Sequence, residues 1–147
     1  MINFMRIVST VARYLLGIIF TVFGLNGFLH FIPAGPVPAL AAQFVGVLVQ
    51  SHYMTVVFAI QLVGGLLLLA NRYVAFALTI LGPVIVNIVL VHILMAPAGL
   101  PLALLVTLLW ILSAYRVRFV FAGIFQESAG AGLPRPSHTS QTAALRG

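Results

Sequence analysis

Charge is almost absent from this chain. Its formally charged side chains are seven arginines and one acid, Glu127, or 5% of 147 residues. A soluble domain carries roughly 25%, so a water-soluble fold of this length would lack the polar surface to cover itself. Disorder is excluded from the other direction. Disordered chains are poor in apolar side chains, whereas 63% of these residues are hydrophobic. The class that remains is an integral membrane protein, with one compact domain filling the length. The absence of cysteine removes disulfides, thiolate nucleophiles and thiolate-held clusters. The net charge of +6 comes from arginines scattered singly along the chain. Isolated arginines in an apolar chain mark the cytoplasmic ends of membrane spans and do not form a nucleic-acid surface.

The apolar runs and their breaks predict an all-α protein. Residues 7–31 form a first span, too long for a signal-peptide core and followed by no small-residue cleavage pattern. The segment from Pro33 to Pro38 cannot continue a helix. Residues 39–50 form a second apolar stretch, but a helix of that length rises only about 18 Å, against about 30 Å for a bilayer core. It is therefore expected in the interface, with Pro38 in its first turn. Further spans are expected over residues 54–70, 74–95 and 100–115, joined by tight turns at Asn71-Arg72-Tyr73 and Ala96-Pro97-Ala98-Gly99. Residues 117–125 suit a short interfacial helix. The bundle domain is thus residues 1–125. Residues 126–147, rich in Ser, Thr, Gly, Ala and Pro, are expected to be a disordered cytoplasmic tail.

Four spans put both termini on one side, together with the turn at Arg72. That side would hold Arg6, Arg13, Arg72, Arg116, Arg118, Arg135 and Arg146, and the other side would hold no arginine or lysine. The positive-inside rule then makes both termini cytoplasmic. The two short turns make neighbouring spans antiparallel, so the expected architecture is a four-transmembrane-helix up-down bundle with a short interfacial helix between spans one and two.

Polar side chains in hydrocarbon are costly, so their positions carry information. The candidates for a polar pocket are Asn26 and His30 in the first span, Gln61 in the second, and Asn87 and His92 in the third. Counting about 1.5 Å per residue from Arg13 and Arg72 puts Gln61 about 16 Å deep, Asn26 about 20 Å, Asn87 about 22 Å, His30 about 25 Å and His92 about 30 Å. Asn26 and His30 share a face, being four apart. Asn87 and His92 are five apart, or about 140° around an ideal helix, so both can face one neighbour only if Pro83 distorts the helix. The competing reading is that Asn26, Gln61 and Asn87 bond one another across helices as packing, and that the two histidines sit at the interface. Gly17, Gly24, Gly27, Gly64 and Gly65 permit close helix approach, which is ordinary in membrane packing.

The run from Arg13 to Gly17, with Phe20 to Phe28 after it, resembles the first helix of the DoxX family of bacterial membrane proteins. The run from Gln61 to Leu69 is similar to that family's second-helix signature, and the run from Gly82 to His92 to its third. The stretch from Pro36 to Gln50 fits the family's proline-containing loop and short helix. The resemblance covers about residues 6 to 120. It implies a four-helix bundle in the cell inner membrane, with some members described as small subunits of quinone-linked thiosulfate oxidation and others as membrane parts of oxidoreductase assemblies. In one departure, many relatives carry an acidic residue where this chain has Gln61, which counts against proton handling at that position.

Three function classes follow. The first is a membrane subunit or accessory component of a redox assembly with a quinone site, its donors drawn from the polar candidates. The second is a non-catalytic structural or partner-binding membrane protein. The third is a small oligomeric transporter, disfavoured because the only acid, Glu127, lies past the last span. No intrinsic cofactor or metal is expected, quinone apart. A haem held by His30 and His92 is possible by depth, but the resemblance does not call for one. The expected partners are the lipid bilayer, a redox protein and further copies of the chain.

Overall fold

The computed structural model describes residues 2–33 and 35–122, and among these all regular structure is helical. Six α-helices follow in order: α1 (Ile2–Leu29), α2 (Ala39–Gln50), α3 (Tyr53–Leu69), α4 (Val74–Leu94), α5 (Leu100–Arg116) and α6 (Arg118–Ala122), with a 3-10 turn at Pro97–Gly99 leading into α5. The expected tail, with Glu127, Arg135 and Arg146, lies outside the described residues.

Three helical stretches are long and apolar enough to cross a membrane: Asn3–Leu29, Val74–Leu94 and Pro97–Arg116. A fourth joins them only if α2 and α3 count as one broken unit, and those two meet at 87°. The bend has a local cause. Ser51 ends α2, and His52 takes left-handed backbone angles (φ 60°) immediately before α3. Similar angles at Asn71 (φ 54°) and Tyr73 (φ 50°) reverse the chain between α3 and α4.

Helix α1 packs on α3 and α5, and α4 packs on the same two helices from the other side. The residue pairings make each neighbour antiparallel. Gly17 lies against Leu69 and Gly65, and Gly24 against Leu62 and Phe58. Gly64 meets Leu81 across the α3–α4 contact, and Trp110 of α5 donates its indole N–H to the Leu78 carbonyl of α4 at 2.9 Å. The core of this ring is built from Leu16, Phe20, Leu68, Leu78, Leu81, Val106 and Leu109.

The tightest seam is α1 on α3, and glycine makes it. A Cβ placed on Gly24 would lie 2.6 Å from the Leu62 backbone nitrogen, and one on Gly65 would lie 2.6 Å from that of Thr21. The two backbones therefore touch directly, the arrangement by which transmembrane helices gain van der Waals contact without a hydrophobic driving force between them. Gly27 serves a different purpose, clearing space for the Phe58 ring, which also packs edge-on against Phe28 with centroids 6.5 Å apart.

Candidate functional site

The four long helices line a partly open cavity of about 240 Å³ toward the arginine-free end of the ring. Its walls are Ile19, Phe20 and Phe23 from α1, Phe58 and Gln61 from α3, Ile88 and His92 from α4, and Leu102, Ala103 and Val106 from α5. Among the described residues, two polar side chains reach it. Gln61 is 7% exposed, and its Oε1 is fully enclosed with no hydrogen-bond partner among the described residues. Leaving a buried acceptor unpaired costs about 1–3 kcal/mol. The amide can turn to offer either its oxygen or its NH2 group to the cavity, so it serves a donor or an acceptor equally well.

His92 is held from two sides. Its Nδ1 lies 2.7 Å from the Ile88 carbonyl. A carbonyl only accepts, so in the neutral ring Nδ1 carries the proton and Nε2 is left as an acceptor. On the other side the ring lies so close to Gly99 that a Cβ there would overlap its Cδ2 and Nε2. The 3-10 turn before α5 thus presses the imidazole into place.

Of the five residues expected to share a pocket, this cavity gathers Gln61 and His92 and leaves out Asn26, His30 and Asn87. Asn26 instead accepts a hydrogen bond from the Ile32 backbone N–H at 2.6 Å, closing off the end of α1. His30 follows the last residue of α1 with φ 53°, and is exposed. A left-handed residue just past a helix is a common way to stop it. Asn87 is exposed, and its amide donates to the Pro83 carbonyl one turn back at 3.1 Å. Its angular separation from His92 supplies the reason, for with His92 turned inward Asn87 must face outward. A three-way bond between Asn26, Gln61 and Asn87 is equally absent among the described hydrogen bonds.

Two features escaped the sequence reading. Phe58, a plain apolar residue in a plain apolar run, forms a wall of the cavity, and its cue was the gap left by Gly27. Arg13, the inner mark from which depth is counted above, is only 7% exposed. Its guanidinium donates to the Leu68 carbonyl in the last turn of α3 and lies over the Tyr14 ring, 4.2 Å from the centroid. It thus joins α1 to the C-terminal end of α3, the negative end of that helix's dipole.

The opposite end of the ring is basic. Arg6 and Ser9 of α1 face Tyr115 and Arg116 at the end of α5, and Arg118 and Phe119 of α6, across an open pocket of about 660 Å³. Thr10 Oγ1 donates to the Arg6 carbonyl at 2.8 Å and accepts from the Arg116 guanidinium at 2.6 Å.

Compared with models of protein families, with curated proteins and with solved structures, the chain matches none of them.

Proposed function

We propose that the protein is a four-span, DoxX-like protein of the cell inner membrane, with a quinone-type ring as the ligand of the cavity between its helices. In this reading it acts as a membrane subunit or accessory component of a redox assembly. Helices α1, α3, α4 and α5 cross the bilayer. The 17 residues of α3 rise about 25 Å, enough for a thin or locally adjusted bilayer. The 87° bend lays α2 along the interface. The arginine-bearing end faces the cytoplasm, so both termini are cytoplasmic.

The observation that carries the ligand reading is the Gln61 amide, its Oε1 without a partner among the described residues, in a cavity where His92 is the other polar side chain and the remaining walls are apolar. Apolar walls with one or two convergent polar groups are the usual makeup of a small-molecule site. At about 240 Å³ the cavity falls below the roughly 300 Å³ at which drug-sized ligands begin, which suits a single ring. A quinone carbonyl would accept from the Gln61 amide, and the hydroxyl of the reduced form would donate to His92 Nε2. The cavity needs no carboxylate for either bond, which fits glutamine at position 61.

The test is thermal unfolding of the solubilised protein with a short-chain quinone against the same ring lacking its carbonyls. A ligand at a hundred times its Kd stabilises by about 2.7 kcal/mol. Stabilisation by the quinone alone, lost in Gln61→Leu and weakened in His92→Phe, is the expected result. No stabilisation of the wild type, or the same response in both variants, would refute the reading.

A second reading, a structural or partner-binding protein, is favoured by Asn87. An exposed amide in the middle of a membrane helix is expensive, and a helix from a redox partner or from a second copy of the chain would cover it. Asn87→Leu should then lower recovery of the assembled complex from mild detergent while leaving the folded chain intact.

A further inference from the structure

We infer that the basic pocket between α1 and the α5–α6 corner is a phosphate-binding site, with the headgroup of an anionic phospholipid as its natural occupant. The inference rests on the chain lying in a bilayer and not on any ligand of the interior cavity.

Three guanidinium groups line this pocket, those of Arg6, Arg116 and Arg118. The partners that hold two of them are neutral. Arg116 is tethered to the Thr10 hydroxyl. Arg118 lies over the Tyr115 and Phe119 rings, 4.3 and 4.6 Å from their centroids. These contacts fix where the groups stand without cancelling their charge. The chain could not neutralise all three with its own side chains, because its sequence contains a single acid. No carboxylate is among the residues that line the pocket, which leaves it open to anions from the surroundings, and planar guanidinium forks match phosphate oxygens two at a time.

The floor and flanks narrow the choice. Ser9 lines the pocket yet is 3% exposed, placing a hydroxyl deep beneath the arginines. A simple row of basic residues facing water would have no such depth. The flanks carry apolar side chains: Met5 of α1 and Phe119 of α6 line the pocket beside the arginines, and Phe119 is well exposed. A phosphate between charged forks, with hydrocarbon directly beside it, is the chemistry of a phospholipid at the membrane surface. A simpler account of these arginines is that they only set topology or complement the C-terminal dipole of α5. That account predicts that every arginine at this end contributes alike, including Arg72.

The experiment uses the full chain in nanodiscs and native mass spectrometry of the released protein. One arm offers phosphatidylglycerol mixed equally with phosphatidylcholine, and another adds millimolar glycerol phosphate or inorganic phosphate. The variants are Arg6→Gln/Arg116→Gln, Arg118→Gln alone, and Arg72→Gln as the arginine outside the pocket. Thermal unfolding of each confirms that it is folded, and Arg118→Gln leaves the Thr10–Arg116 tether in place. The expected result is retained phosphatidylglycerol in preference to phosphatidylcholine, falling about fivefold for each pocket arginine removed and little in Arg72→Gln. Retained phosphatidylglycerol unaffected by the soluble anions supports the site with lipid as the source. Stabilisation by the soluble anions, lost in the pocket variants and without retained lipid, supports the site with a free phosphate compound as the source. Equal losses in Arg72→Gln and the pocket variants overturn the inference, as does an absence of response to both lipid and soluble anions.

Discussion

Gly65→Ala adds one methyl group at the place where α1 and α3 come closest. The new Cβ would lie 2.6 Å from the Thr21 backbone nitrogen and from Thr21 Oγ1, and 2.9 Å from the Gly17 carbonyl oxygen. Ordinary contact begins at 3.4 Å, so α1 must retreat by about 0.8 Å at this level. A hydroxyl can rotate away, but the nitrogen and carbonyl belong to the α1 backbone and move only with the helix. Overpacking of this kind costs about 1–3 kcal/mol. The gain in helix propensity from replacing glycine, at most about 1 kcal/mol, offsets part of it. The net expectation is a loss of about 1–2 kcal/mol. The assay is reversible unfolding in mixed micelles of mild detergent and dodecyl sulfate, followed by circular dichroism. Gly46→Ala is the control, since Gly46 lies in α2 with nothing within 4 Å of its added Cβ. It should be neutral or slightly stabilising. If Gly65→Ala matches Gly46→Ala, the α1–α3 seam is not packed backbone to backbone, and the account of the glycines fails.

Three further outcomes follow from the same geometry. Gly99→Ala should push the His92 ring out of position and weaken ligand binding in the cavity more than it weakens the fold, read by comparing ligand-induced stabilisation with unliganded stability. Arg13→Met should destabilise by about 1–3 kcal/mol by leaving the Leu68 carbonyl without its guanidinium donor; Arg13→Lys should recover part of that, and equal stability of Arg13→Met and wild type would refute the role. A periplasm-active reporter fused after residue 122 should be silent, and one inserted at residues 35–37 active; the reverse pattern would invert the topology.

The helices were legible in the sequence because their boundaries carry their own chemistry. Pro33 to Pro38, Asn71-Arg72-Tyr73 and Pro97 interrupt long apolar runs, and the observed ends fall within a few residues of those breaks. The exception is the start of α1, which begins at Ile2 instead of near residue 7 and so carries Arg6 into the helix. The glycine pairs likewise announced a close contact. The direction each side chain faces was less legible. A helix that is apolar all round gives no periodic signal for its buried face. Depth alone therefore grouped Asn26, Gln61 and Asn87, although only Gln61 turns inward. Arg13 misled for a related reason. It serves as the inner mark for counting depth, yet α1 begins at Ile2 and carries it about three turns into the helix, and nothing local shows that α3 finishes beside it.

The ring of helices also dictates an order of construction. Helix α1 finds its first neighbour in α3, and α4 then packs on α3, all while synthesis is still in progress. The remaining neighbour of α1 is α5, the last of the long helices to emerge. The bond from Arg116 to Thr10 spans 106 positions of sequence and cannot form until then. Until that moment Ser9 and the inward flank of α1 stand open to lipid or to the insertion machinery. A chain stalled before α5 would therefore leave one flank of α1 without its partner helix, which gives quality-control proteases a ready mark of incompleteness. The hydroxyl of Thr10 is, in that sense, the latch by which a finished molecule differs from an unfinished one.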